Sequence, residues 1–191
     1  MSESDPRRTV TAAFGSRGTA DGPSLRQAVA DSHLAVRRYL FGLCGDWQQA
    51  EDLAQEALLK AWQKRESFDG RAKPRTWIFT IARNHWLDGL RRRRVRPTEE
   101  TMIEEATCSP ATDSPPARAA RAELATAVEA AMGRLPNEQR EALALRESGG
   151  LTFREVAGLL GVPVATAKSR VRYALLKLAD DLAPFGRDLE S

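Results

Sequence analysis

Apolar residues recur with the period of an amphipathic helix along two stretches of the chain. From Leu25 to Leu43, Leu25, Val29, Val36, Leu40 and Leu43 follow at steps of four, seven, four and three, one face of a helix that Gly45 stops. A second helix opens at Asp46, an N-cap residue with Gln49 three positions on, in the manner of a capping box. Its inner stripe is Ala50, Leu53, Ala54, Ala57, Leu58, Ala61 and Trp62, while Glu51, Asp52, Gln55 and Glu56 make the opposite side acidic. The turn-like run from Phe68 to Pro74 leads into a third helix over about residues 75–94. There Ile78, Ala82, Trp86 and Leu90 fall four apart toward the core, with Trp77, Thr80, Asn84, Leu87 and Arg91 on the other side. Four consecutive arginines, Arg91 to Arg94, end it where cations suit the helix dipole, with Arg96 just beyond.

The second stretch is built the same way. Leu124, Val128, Ala131 and Leu135 form one helical stripe that Leu135-Pro136 breaks, and Ala142, Leu143 and Leu145 mark another helix, ended by Gly149-Gly150. Thr152 with Glu155 makes a capping box directly before Val156, Ala157, Leu159 and Leu160. Gly161-Val162 is a short turn, and Pro163, tolerated in a first helical turn, begins a helix carrying Lys168, Arg170, Arg172 and Lys177. With no strand pattern and no repeat, the expected fold is all-α: two small helical domains joined by a flexible acidic linker, the C-terminal one containing a helix-turn-helix.

Composition sharpens the boundaries. The 191 residues carry 29 Lys and Arg against 26 Asp and Glu, a net charge of only +3, but the average hides unlike segments. Residues 25–96 are net +7, residues 97–123 net −4, and residues 1–24 and 124–191 neutral. The expected division is a flexible leader over 1–24, a first domain over 25–96, a linker over 97–117, a second domain over 118–183 and a tail over 184–191. The linker holds Glu99, Glu100, Glu104, Glu105 and a Ser/Pro-rich run to Pro116, too little apolar surface to order itself. No run approaches the roughly 20 apolar residues of a membrane span, and the N-terminus lacks the apolar core of a secretory signal, so a cytoplasmic location is expected. Cys44 and Cys108 sit in no paired motif, which argues against a disulfide framework or a cysteine-ligated zinc.

Three segments carry candidate chemistry. Thr152 to Tyr173 has the layout of a DNA-reading helix-turn-helix, with Ala157 where two helices cross and Gly161 at the turn. Its second helix would present Ala165, Thr166, Lys168, Ser169, Arg172 and Tyr173 to bases and phosphates. Between Phe68 and Arg96, aromatic rings and cations interleave: Phe68, Arg71, Lys73, Arg75, Trp77, Asn84, Arg91 and Arg92. That mixture suits stacking and backbone neutralisation on single-stranded DNA, although Trp77 fits a core role equally well and Trp86 fits the core better. The acidic face with Asp46, Glu51, Asp52, Gln55 and Glu56 is, by itself, an ordinary solvated helix surface. Glu51 and Asp52 are adjacent and so point about 100° apart, which suits no paired-carboxylate catalysis. His33 and His85 form no ligand spacing, and there is no phosphate loop, metal triad or nucleophile elbow, so no enzyme activity, cofactor or metal is expected.

Together these residues resemble the extracytoplasmic-function group of bacterial sigma-70-type sigma factors. The likeness covers about Leu25–Arg96 and Leu124–Leu178. It rests on Gly45-Asp46 through Ala57 with Ala61-Trp62; on Trp77-Ile78, Ile81-Ala82-Arg83-Asn84 and Asp88; and on Leu135-Pro136, Arg140, Leu143, Leu145, Gly150 through Ala157 and Lys168-Ser169-Arg170. The resemblance implies a subunit that binds core RNA polymerase and selects promoters. It implies that Asp46, Glu51, Asp52, Gln55 and Glu56 dock on the clamp helices of the largest polymerase subunit. It implies that the Phe68–Arg75 loop and Asn84 take the melted minus-ten strand with one base flipped out, and that the helix from Pro163 reads the duplex minus-thirty-five element. The acidic linker would thread past the polymerase cleft, and an anti-sigma factor is a common partner in this group. Two positions depart from the family: Ala167 replaces a usual Val or Ile, which should loosen the recognition helix, and Tyr173 replaces a common Arg. A stand-alone helix-turn-helix regulator of duplex operators is the competing reading, and it leaves the acidic and aromatic-cationic segments idle.

Overall fold

The computed structural model describes residues 25–95 and 115–186, with side chains over 25–92 and 122–185. The leader, most of the linker, the last five residues of the tail, Cys108 and Arg96 lie outside the described residues. Among those described there are eight α-helices and no strand: α1 (Leu25–Asp31), α2 (His33–Cys44), α3 (Trp47–Gln63), α4 (Pro74–Val95), α5 (Pro115–Arg134), α6 (Asn137–Glu147), α7 (Phe153–Leu160) and α8 (Val164–Gly186).

The first predicted helix is two helices. Ser32 is buried and its hydroxyl donates to the Ala28 carbonyl at 2.6 Å, a back-bond that competes with the regular ladder where α1 ends and α2 begins. Gly45 ends α2, and the Asp46 carboxylate accepts from the Gln49 amide at 2.6 Å, so Asp46 caps α3. Ala50, Ala54, Ala57 and Ala61 are all fully buried, a stripe of small residues that brings α3 close to α2 and α4. Trp62 and Leu90, expected inside, are partly exposed. Trp62 lies near the end of α3 and carries the Arg65 guanidinium over its ring.

In the C-terminal half, α7 and α8 form the predicted helix-turn-helix. Both bonds of the Thr152/Glu155 capping box are made, Gly161 takes the left-handed conformation (φ +67°) that a side chain resists, and Ala157 is buried at the crossing. Ala167, Val171 and Ala174 form the buried stripe of α8. The small side chain at Ala167 is fully covered, and α8 runs unbroken through it. The ends differ from the sequence boundaries. α5 begins inside the expected linker, at Pro115-Pro116, where missing amide donors cost a helix start nothing, and α8 runs through Pro184 into the expected tail.

The sequence pattern does not say how the two halves meet. Their buried side chains form one continuous core, with α2 packed on α6 and α4 touching α7. Thr152→Ala should remove the cap of α7 and cost about 1 kcal/mol, read as a lower urea midpoint with unchanged m-value.

Candidate nucleic-acid interface

The acidic face of α3 is divided by its neighbours. Glu51 is tied down: Arg37 donates to it at 3.0 Å, Gln55 donates at 2.8 Å, and His33 Nε2 lies 2.9 Å away. The Gln55 hydrogen bond, resisted by burial and helped by Arg37 and His33, lowers its pKa. Asp46 is committed to its cap. Asp52, Gln55 and Glu56 remain exposed. Behind Glu56, the buried His85 ring receives Lys60 Nζ at Nδ1 (2.5 Å) and has Nε2 2.9 Å from the Glu56 carboxylate. Burial, then the Lys60 charge, lowers the His85 pKa against the pull of Glu56.

The aromatic-cationic segment separates into two groups. Asn84, Arg91 and Arg92 are exposed on α4, with Arg91 paired to Asp88 at 3.1 Å. Phe68 and Trp77 lean on each other with ring centroids 5.3 Å apart, and Trp77 packs against the core; Arg71 is exposed beside Asp69. Lys73 and Arg75 instead meet the C-terminal half. Lys73 Nζ lies 3.1 Å from the Glu155 carboxylate, and Arg75 Nε donates to the Gly149 carbonyl at 2.5 Å while its guanidinium lies over Phe79. Between them the Thr76 hydroxyl, fully buried, donates to Glu155 at 3.2 Å.

The second helix of the helix-turn-helix has one exposed side. Ala165, Lys168, Arg172 and Tyr173 are exposed, and Thr166 and Ser169 half-buried, along the outer side of the first turns of α8. Arg170 points the other way and pairs with Glu138 of α6.

Residues at the junction of the halves escaped the sequence reading. Tyr39 on α2 and Phe79 on α4 are fully buried and meet edge to face at 5.4 Å. The Tyr39 hydroxyl donates to Glu141 of α6 at 3.4 Å, and Arg83 donates to the same carboxylate at 2.8 Å in a largely buried ion pair. Burial, reinforced by the Glu141 charge, raises the Tyr39 pKa well above its ordinary value, so Tyr39 is a donor here. The stripe Thr76, Phe79, Arg83 at steps of three and four was visible in the sequence; its partners, 58 to 79 positions away for Arg83 and Thr76, were not.

Among the described residues there are helices and no strand, and α7 with α8 makes a capped helix-turn-helix with an exposed cationic second helix, an architecture found in many DNA-binding proteins. The comparisons name its family. Residues 29–96 match the family model for sigma-70 region 2, and residues 125–178 that for sigma-70 region 4. The ECF RNA polymerase sigma factor RpoE of Cereibacter sphaeroides is 40% identical over 137 residues, 71% of this chain and 73% of the relative. The ECF sigma factor SigL of Mycobacterium tuberculosis is 36% identical over 166 residues, 85% of this chain and 92% of the relative. Among solved structures, the sigma factor RpoE bound to the anti-sigma factor NepR from Bartonella quintana aligns with a TM-score of 0.66 at 30% identity, covering 83% of this chain and 96% of that one. CnrH in complex with the cytosolic domain of CnrY aligns with a TM-score of 0.58 at 26% identity, over 93% and 97% of the two chains. The chain belongs to the extracytoplasmic-function sigma factors of the sigma-70 family, and its function is to direct transcription initiation as an RNA polymerase sigma factor. Sigma factors are non-enzymatic regulators of transcription, and no described helix is long and apolar enough to cross a membrane.

Glu155 supplies a pH test of the junction. Burial, the largest single influence, pushes its pKa up, but hydrogen bonds from the Thr152 hydroxyl and amide and the neighbouring Lys73 outweigh it and leave the carboxyl below its ordinary value of 4.5. A carboxyl lowered on folding contributes stability that is fully present above 4.5 and is lost as pH falls through the lowered value. The stability difference between wild type and Glu155→Gln, from urea midpoints across a pH series, should therefore be constant above that point and shrink below it.

Proposed function

We propose that this sigma factor engages core polymerase through the exposed part of the α3 face, Asp52, Gln55 and Glu56, with Asp46 and Glu51 shaping that face from behind. The loop from Phe68 to Arg75, with Trp77, Asn84, Arg91 and Arg92, takes the melted minus-ten strand. The face of α8 bearing Ala165, Thr166, Lys168, Ser169, Arg172 and Tyr173 reads duplex minus-thirty-five DNA. The observation that carries the reading is the α8 face: a helix held in a helix-turn-helix by Gly161 and Ala157, with its cations turned outward. Residues 25–96 form the melting domain and 118–183 the duplex-reading domain. The linker over 97–117 bridges them past the polymerase cleft, with the leader and tail outside both. The working compartment is the cytoplasm, where polymerase and promoter are. An anti-sigma factor is a further proposed partner, in keeping with the complexes formed by RpoE and CnrH.

Physical chemistry favours this division of labour. A unit of modest charge binds DNA weakly at physiological salt, because affinity grows with the number of phosphates neutralised. Mounting both readers on polymerase makes the second contact intramolecular and raises its effective concentration. Trapping an extruded base offsets the few kcal/mol lost on unstacking it.

The experiment is promoter-specific transcription with core polymerase free of other sigma factors, across a genomic promoter library; complete lack of specific initiation would refute the proposal. Asp52→Lys should weaken core binding in a fluorescence titration. Asn84→Ala should impair promoter opening, followed by permanganate reactivity, more than duplex binding; equal losses would exclude base capture. Arg172→Ala should flatten the dependence of log K on log salt by about 0.9 for minus-thirty-five duplex, one phosphate contact fewer.

A further inference from the structure

We propose that His85 is a positioning residue for the polymerase-docking face of α3: its neutral ring takes the Lys60 ammonium off that face and leaves the charge of Glu56 uncancelled. This rests on the docking role proposed above for α3. Glu56 and Lys60 stand four positions apart on α3, carboxylate first, the spacing and order at which such residues pair on a helix surface. A pair of that kind would cancel Glu56 beside Asp52 and bring the exposed face close to neutral. The ring of His85, only 7% exposed, reaches over from α4 and interrupts it. Lys60, half-buried, donates to Nδ1 at 2.5 Å, while Nε2 lies 2.9 Å from the Glu56 carboxylate, which stays 62% exposed. The two ring nitrogens point to different sides, so the cation is drawn toward α4 and the anion is kept apart from it.

The arrangement requires an uncharged imidazole. Nδ1 accepts from Lys60 only while it carries no proton, so the proton of the neutral ring sits on Nε2, toward Glu56. That second contact is close but poorly directed, and Nε2 has no well-aligned hydrogen bond among the described residues. It orients Glu56 without using up its charge. The charged groups that act on the ring are Lys60 and Glu56 of α3 and Arg92 of its own helix. Burial, Lys60 and Arg92 favour the neutral form and Glu56 opposes them, which leaves the pKa below its ordinary 6.5. A second proton would set an imidazolium against an ammonium. Lys60 would be expelled to the surface and Glu56 drawn onto the new charge at Nε2, so the face would gain a cation and lose an anion in one step.

Core polymerase affinity of the full-length chain, from a fluorescence titration at neutral pH, gives the first test. His85→Leu removes the acceptor, releases Lys60 to Glu56 and should weaken binding about 3- to 5-fold, the upper range for a partly exposed charge. His85→Leu with Lys60→Met has no cation to release and should return to wild-type affinity. Equal losses in the single and double variants would reduce His85 to a packing residue and overturn the proposal, as would wild-type affinity in His85→Leu. Across a pH series, the ratio of wild-type affinity to that of the double variant should be level above 6.5 and decline as His85 protonates below it; a ratio independent of pH would overturn the coupling. The second test does not depend on how well a leucine variant folds. His33 and His85 are the two histidines of the chain, so both ring signals can be followed by NMR. His85 should titrate below 6.5, and Lys60→Met, by removing a charge that keeps the ring neutral, should raise that midpoint. An unmoved midpoint would sink the arrangement. Asp52→Lys separates the two levels of the reading. If it leaves core affinity unchanged, α3 is not the docking face and the role of His85 falls with it; if it weakens binding while His85→Leu does not, only the role of His85 falls.

Discussion

Helices α2 and α4 each bury two faces, and only one of each is covered by their own half of the chain. Tyr39 and Phe79 occupy the second faces, and from them a sequence of requirements follows. Two large rings out of water need apolar cover, which α6 and the turn after it provide. A phenol at that depth needs an acceptor, and Glu141 is the one within reach. A carboxylate largely removed from solvent needs a cation, which Arg83 supplies at 2.8 Å. Small residues at 42 and 144 then follow from how closely α2 and α6 cross, while glycine at 149 is required first by the Leu145 carbonyl of its own turn. Apart from that glycine, none of these choices belongs to one half alone.

The sequence was legible wherever cause and effect are close along the chain. The caps at Asp46 and Thr152, the stops at Gly45 and Gly161, the alanine stripe of α3 and the buried stripe of α8 all follow from spacings of three and four. The break at Ser32 was not legible, because a serine hydroxyl can bond to solvent or to the preceding turn with equal chemical ease. Trp62 and Leu90 fit a helical stripe but are partly exposed; periodicity gives a face, not the length over which it is packed. The junction was the least legible part. Tyr39 and Glu141 stand 102 residues apart, and either alone reads as an ordinary helix residue.

Candidate binding residues divide along the same line. The α8 face could be named from sequence because a recognition helix is a local object, and its exposed cations lie where the pattern put them. Lys73 and Arg75 were named for their charge beside aromatic rings, and the charge is there, but both meet acceptors from the other half. Glu51 shows the same limit on α3: a carboxylate counted as part of an acidic surface is already paired with Arg37 of α2 and lies 2.9 Å from His33 Nε2. Segment charge is a poor guide to which side chains are free to meet a partner.

Polar and apolar contacts at the junction differ in weight. A wholly apolar interface would associate indifferently and release slowly. Ion pairs removed from water contribute little net stability, since their attraction is largely offset by desolvation, yet each costs several kcal/mol if one partner is withdrawn and nothing replaces it. Such a contact is specific in geometry and close to balanced in free energy. Arg83 and Glu141 fit that description, whereas Lys73 is largely exposed, so its pair with Glu155 is screened by water and can be given up at little cost.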